Sequence, residues 1–465
     1  MASRPVFYTI IQQKERLSKC ALAVVLAGSF LVSSPATSWS QSTPIQTGAS
    51  DTSFTAVPEN KRFRILLRMI KAKVTNEAER LLQAFPFTGK HAQNRTLFLT
   101  GLIAKSRGDY ELAEKNFRTV LANDPKLTMV RAELAHTLFL AKKDDSAKHH
   151  LQLLSDAAPT PEAAKQFDRF IDAVDARRPW KLSAYASMAP STNFNNGTTR
   201  QTIIIGGLPF TVDANSRVKS GIGYRGGANA SYTFHPGKDL SLIVGAGLNF
   251  TEYAGKTYDD RIVSQNVSVV RKYKSGQVSI GLTASQRWSG ADEFILEVGP
   301  QVTITHKINQ KVRAFAKFRH LRTKFKLAEY RNGGTSTADF RFSYGLSADT
   351  VLYALVGGQR TGTRRNYLDF WSGYGGLAVY KELPFGITYY GEGKLTKKYY
   401  DGDFPLLGEP QEDTRLNFNA SITKRDFSMF GLAPRLEYTY TKSMSNSAFS
   451  RYSSHGLNLS LTKAF

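Results

Sequence analysis

The sequence predicts an α + β multidomain protein, in which an N-terminal helical-repeat α-solenoid precedes a C-terminal ~14-stranded antiparallel transmembrane β-barrel. Three observations carry this. Helical segments repeat at a 34-residue offset before residue 160. From Trp180 onward, apolar and polar residues alternate. The connections between the alternating segments are by turns short and long, as in a closed bacterial barrel. Composition agrees: 465 residues with 36 Gly, 29 Phe and 21 Tyr are rich in strand and turn formers. With 41% hydrophobic residues and a mean hydropathy of −0.31, the chain is no bundle of membrane helices. With 22% charged and 12% aromatic residues, it is no disordered chain either.

Residues 1–40 read as a signal peptide for export. Arg4, Lys14, Arg16 and Lys19 precede a 13-residue apolar run from Cys20 to Val32, and small residues follow around Ser38 and Ser40. The run falls short of the roughly 18 residues that span a bilayer. Cys20 is the single cysteine and sits at the start of the run, so cleavage leaves a mature chain without a thiol. Disulfides, thiolate zinc sites and a cysteine nucleophile are thereby excluded. Residues 41–57 are polar, rich in Ser and Thr, and read as a flexible lead-in.

Residues 58–178 have a helical period. Leu66, Leu67, Ile70 and Val74 share one face, and Ala78, Leu81, Leu82 and Phe85 another. Leu112, Ala113, Phe117 and Pro125 align with Ser146, Ala147, Leu151 and Pro159 at the 34-residue offset. Ala104, Tyr110, Ala113, Phe117 and Pro125 resemble the tetratricopeptide pattern of small contact residues and a closing proline. Stacked helix pairs share a core and present a concave surface, which suits a peptide or protein partner. A plain helical bundle that positions the next domain is the alternative. His149 and His150 point about 100° apart on a helix, a poor joint metal site, and are expected to face solvent.

Residues 180–465 alternate as membrane strands do. Leu240, Leu242, Val244, Ala246, Leu248 and Phe250 share one face. Leu416, Phe418, Ala420 and Ile422 oppose Asn417, Asn419 and Ser421. Short turns are expected near 235–239, 274–276, 309–310, 348–349, 383–386 and 425–427. Longer loops are expected at 190–216, 253–260, 325–337, 400–413 and 444–453. Short turns belong on the periplasmic side, which places the helical domain in the periplasm and the barrel in the outer membrane. Leu457, Leu459, Leu461 and the terminal Phe465 share a face, the kind of end that barrel-assembly machinery reads. Pro300 and Pro434 fall within predicted strands, where proline lacks a ladder donor.

Charge separates the two parts. Before Trp180 there are 26 Lys and Arg against 17 Asp and Glu, and from there on 36 against 21. Lys311, Arg313, Lys317 and Arg319 form a candidate basic lumen row, which favours anionic cargo or acidic protein surfaces. Alternatively, Glu297, Glu392 and Glu437 on inward faces balance it. Nucleic-acid binding does not fit charges on a membrane barrel. Gly221–Gly226 matches dinucleotide spacing but opens no helix, and Asp401 with Asp403 is too sparse for calcium. No catalytic, cofactor-binding or metal residues are assigned, and an enzyme is not expected.

Three stretches carry a family resemblance: Pro190-Ser191-Thr192-Asn193-Phe194-Asn195, Phe430 to Tyr440, and Ser445-Asn446 through Tyr452 to Phe465. In the first, Thr192 and Phe194 depart from the family's pattern. With the order of signal, repeats and barrel, the chain resembles the surface lipoprotein assembly modulator (Slam) family. The resemblance implies a translocator that takes a surface lipoprotein, or a secreted haem- or metal-scavenging protein, from periplasm to cell surface or medium. It implies that the helical domain engages cargo or a periplasmic chaperone. Pro434 then reads as a family feature. Asn193 and Asn195 are candidate cargo contacts, or else they cap a loop through side-chain to backbone bonds. An exopolysaccharide exporter also joins such repeats to a barrel, and a diffusion porin would lack them.

Overall fold

The computed structural model describes residues 56–89, 91–205, 208–290, 293–405, 407–425 and 432–463, with Phe54 and Phe427. The expected signal peptide, most of the lead-in and Phe465 lie outside these residues. Residues 66–465 form one compact unit.

The helices are α1 (Glu59–Lys71), α2 (Thr75–Ala84), α3 (Ala92–Ser106), α4 (Tyr110–Asn123), α5 (Thr128–Leu140), α6 (Asp144–Asp156) and α7 (Pro161–Arg177). Asp109 caps α4 by accepting from the Leu112 amide at 3.0 Å, and Thr160 caps α7 ahead of Pro161. Gly108, at φ +86°, supplies the left-handed turn between α3 and α4. Small residues let the helices approach. A Cβ on Gly101 would lie 2.7 Å from the Phe117 ring, which is fully buried beside Phe98. Ala113, Ala135 and Ala147 are likewise buried in the shared core, with Leu134, Leu138, Leu151 and Leu154.

The barrel strands are β1 (Trp180–Ser191), β4 (Gly221–Phe234), β5 (Leu240–Glu252), β6 (Asp260–Tyr273), β7 (Gly276–Ser289), β8 (Glu293–Lys307) and β9 (Val312–Phe325), then β10 (Gly333–Ser347), β11 (Thr350–Gly362), β12 (Phe370–Leu383), β13 (Ile387–Phe404), β14 (Glu409–Lys424), β15 (Leu432–Ser445) and β16 (Tyr452–Lys463). Among the described residues these fourteen close antiparallel, β1 meeting both β4 and β16. A small hairpin, β2 (Thr202–Ile205) with β3 (Leu208–Thr211), stands in the loop after β1. Val244, Leu248, Leu416, Phe418 and Ile422 are all exposed, so the apolar face points outward, where a closed barrel meets lipid. Aromatic pairs mark both rims: Trp180 with Tyr232 at the short-turn end, and Trp371 with Tyr399 at the other.

Both prolines lie within strands. Across β8 and β9 the register runs from Val298–Arg322 to Gln301–Arg319, skipping Pro300, whose missing donor interrupts the ladder. Pro434 pairs with Leu461 on β16 but lies beyond the β14 ladder, where Arg435 pairs with Thr423. The expected long loop at 400–413 is corrected. Strands β13 and β14 continue to Phe404 and from Glu409, leaving 405–408 as the connection. Arg360 holds Asp401 through a bidentate ion pair, which stiffens this extension.

Candidate functional site

The helical segment docks on the barrel at its short-turn end, around a buried carboxylate. Glu382 projects inward near the end of β12 and is 1% exposed. Arg131 of α5, itself fully buried, reaches it with a fork of two bonds, at 3.1 and 2.8 Å. The same guanidinium donates to the Pro125 carbonyl at 2.7 Å and to His150 Nδ1 at 3.2 Å. Arg425, just past β14, lies 2.6 Å from Glu382 Oε2, the oxygen that also accepts the 2.8 Å bond from Arg131. Tyr380 donates to Glu382 at 3.0 Å and meets His149 Nε2 at 3.0 Å. Beside this cluster the Phe385 amide, in the β12–β13 turn, donates to the Ala122 carbonyl of α4. One carboxylate between two guanidiniums, with a phenol and a histidine, is an assembly that binds by charge-assisted hydrogen bonds.

Further ion pairs spread the contact around the rim. Lys307 at the end of β8 reaches Ser155 at 2.7 Å and Asp168 at 3.1 Å. Arg313 of β9 pairs with Asp156 at 3.0 Å, and Lys272 of β6 with Asp172 at 2.8 Å. On β10, a Cβ at Gly345 would lie 2.5 Å from the Asp156 carbonyl oxygen, so the close approach of helix and strand requires glycine there.

The histidines are a correction. The sequence places His149 and His150 toward solvent, yet His150 is 1% exposed and His149 bonds the barrel's Tyr380. The helix face that reads as solvated from the sequence is the one the barrel covers. His150 is held well below the usual histidine range by burial, and then by the neighbouring Arg131 cation.

The basic row faces the lumen in part. Lys311 lies in the turn before β9, and Arg313 is taken up by Asp156. Lys317 stands opposite Asp339 in register, and Arg319 opposite Gln301 and Thr337. The inward glutamates have other partners. Glu297 accepts from Ser285 and Thr323, Glu392 from Tyr390, and Glu437 from Asn419.

Asn193 and Asn195 lie at the long-loop end. Asn193 donates to the Gly197 and Ser453 carbonyls at 2.9 and 3.1 Å and accepts from the Gly197 amide. Asn195 donates to the Asn215 and Arg217 carbonyls and accepts from the Lys219 amide. Both amides thus order the loop after β1. Leu457, Leu459 and Leu461 of β16 point outward. The sequence did not single out Arg131, Glu382, Arg425 or Lys307. The signal that was there is an inward-phase glutamate one residue before a strand end, at the mouth where a helical domain is tethered.

A second, half-buried histidine carries a pH prediction. In α5, burial and the Lys105 cation, whose Nζ lies 2.9 Å from Nδ1, lower His136 to about 4, against a smaller opposing pull from Glu133. The unfolded chain therefore binds a proton that the folded one refuses. Helical stability is expected to be level above pH 7 and to fall as pH drops from about 6.5 towards 4. Thermal melts of the whole protein in detergent, followed by helical circular dichroism at pH 7.5 and 5, check this. His136→Gln is expected to reduce the slope and to leave the part that buried His150 contributes.

Residues 180–465 match the family described as "Surface lipoprotein assembly modifier", and residues 53–151 match its "N-terminal TPR repeats". The chain is 21% identical over 378 residues to surface lipoprotein assembly modifier 1 of Haemophilus influenzae, covering 78% of this chain and 76% of that one. It is 21% identical over 427 residues to the protein of the same name in Neisseria meningitidis serogroup B, covering 85% and 82%. A Moraxella catarrhalis relative is also 21% identical, over 83% of this chain and 76% of that one.

Proposed function

The chain belongs to the surface lipoprotein assembly modifier family, an outer-membrane barrel with N-terminal tetratricopeptide repeats for surface lipoprotein assembly, and we propose that it delivers a lipoprotein, or a soluble haem- or metal-scavenging protein, from the periplasm to the cell surface or medium. The observation that carries this reading is the docking of the helical segment on the short-turn mouth through Arg131, Glu382 and Arg425. A receptor fixed at the mouth raises the local concentration of whatever it binds at the entrance to the barrel. In this reading the repeats hold the cargo or a periplasmic chaperone, and no step is enzymatic. The inward side chains left beyond the docked helices, Lys317 and Arg319 among them, are in place to meet an acidic protein surface.

Comparative proteomics of intact cells with and without the gene tests the proposal. Peptides shaved from the surface and proteins in the medium are compared with the periplasmic fraction. One or a few exported proteins are expected to leave the outside and accumulate inside. An unchanged surface and medium would overturn the reading and turn attention to polymer export.

A further inference from the structure

Among the described residues, the barrel's closing seam is paired over only part of its length. Every residue of β1 from Trp180 to Ser191 has a partner on β4. On its other side, β1 is registered with β16 at Ser187–Ser460, Met188–Leu459 and Ser191–Gly456. Continuing that register sets Ala186 opposite Leu461 and Tyr185 opposite Thr462. Among the described residues these are not paired, although Leu461 and Thr462 both pair with β15 on their far side. Ala184, opposite Lys463, is likewise without a β16 partner. These three positions span about 10 Å of strand on the periplasmic side of the registered pairs.

The seam also holds polar atoms without partners. Ser187 Oγ and Asn458 Oδ1 are buried and accept or donate no hydrogen bond among the described residues. Beside them, on the lumen side, is a polar cavity of about 210 Å³ lined by residues that include Ala189, Pro190, Asn193, Glu437 and Asn458. Pro190 has no donor to give to β16.

The outer end of the seam, by contrast, is clasped. The Thr192 amide donates to the His455 carbonyl, and the His455 amide to Thr192 Oγ1, both at 2.9 Å. Asn193 donates to the Ser453 carbonyl, and Ser454 Oγ donates to the Asn193 carbonyl. The seam is therefore fastened at the outside and loose toward the periplasm.

We propose that this seam is a docking edge for an extended strand of the transported protein, which pairs with β1 and β16 from the periplasmic side while the Asn193 clasp holds the outer end. This rests on the delivery reading above. Inside a membrane, bare backbone N–H and C=O groups need partners, and an added strand supplies them in alternation at the required spacing. Opening on the periplasmic side of the bilayer also gives a lipid-anchored protein a way to the edge without leaving the membrane with its acyl chains.

The test fastens the seam. Ser187→Cys with Ser460→Cys are register partners that both face the lumen, and the native chain contains only Cys20. The control is Ser279→Cys with Thr303→Cys, partners on β7 and β8. The probes are the proteins found to leave the surface when the gene is deleted. If deletion removes none, the delivery reading fails, separately from the seam. If it removes some, the oxidised seam lock is expected to lose the same proteins from the surface and to regain them on reduction, whereas the control lock keeps them. A photoreactive residue at Ala186 is expected to give an adduct with one of those proteins. Surface delivery that persists with the seam oxidised would overturn the proposal. So would adducts that form only at a lumen position such as Thr303, or an adduct of this chain with a second copy of itself.

Discussion

Replacing Glu382 by Gln is expected to release the helical segment from the barrel, at a cost of about 3–5 kcal/mol. The substitution is nearly isosteric, so packing is kept and only the charge is lost. What it leaves is two guanidiniums, Arg131 and Arg425, that shared one carboxylate oxygen and now have no anion there. Arg131 has no exposed surface from which to recruit water or a counterion. Limited trypsin digestion of the purified protein checks the result. The variant is expected to be cut at the connection around Arg177 and Arg178 much faster than the parent, while the barrel keeps its heat-modifiable migration in gels. Arg131→Met is expected to have a smaller effect, because Glu382 then keeps Arg425 and Tyr380. The double variant is expected to cost less than the sum of the two, since the Arg131–Glu382 pair can be lost only once. Equal protease resistance in parent and E382Q would show that the cluster does not hold the two parts together.

Truncating Phe117 to Ala is expected to unfold the repeats locally and leave the barrel intact. The ring is fully buried, stands 5.8 Å centroid to centroid from Phe98, and fills the space that Gly101 leaves open. Its loss costs about 3–5 kcal/mol in transfer and cavity terms. In a stack of few repeats, that is a large share of the available stability. Loss of the cooperative helical melt, with unchanged barrel migration, is the expected readout. The glycine opposite offers a second check. Gly101→Leu overfills the same space from the other side and is expected to destabilise the repeats as well.

Much of this architecture is legible in the sequence because it rests on local period. The outward phase of Leu416, Phe418 and Ile422 follows from strand geometry alone, and the 34-residue offset reports the helix pairs through Ala113 and Ala147. The places that mislead are those where a distant partner decides. His149 and His150 read as solvated because nothing within their helix covers them, and their cover arrives from Tyr380 and Glu382, more than 200 residues later. Arg131 and Glu382 look like two charges among many, and only the fold sets them against each other. The extension of β13 and β14 reads as a loop in the sequence because Asp401, Asp403 and Pro405 carry turn chemistry. The hairpin tolerates such residues because pairing resumes at Asp403–Pro410 and Phe404–Glu409 past a bulge, while Asp401, Asp403 and Pro405 are exposed to water. The seam is the other feature that no local pattern discloses. The alternation along β1 and β16 is as regular as elsewhere, and the deficit lies only in how the two ends meet.

Reconstitution tests the central claim most directly. The purified full chain is inserted into lipid vesicles with its helical segment outside. One lipoprotein from the set lost on deletion is then added to the outside, held soluble by a periplasmic chaperone. The account predicts that the lipoprotein becomes protected inside vesicles that contain the parent protein, and that this protection is lost with E382Q. Equal protease sensitivity in protein-containing and empty vesicles would contradict it.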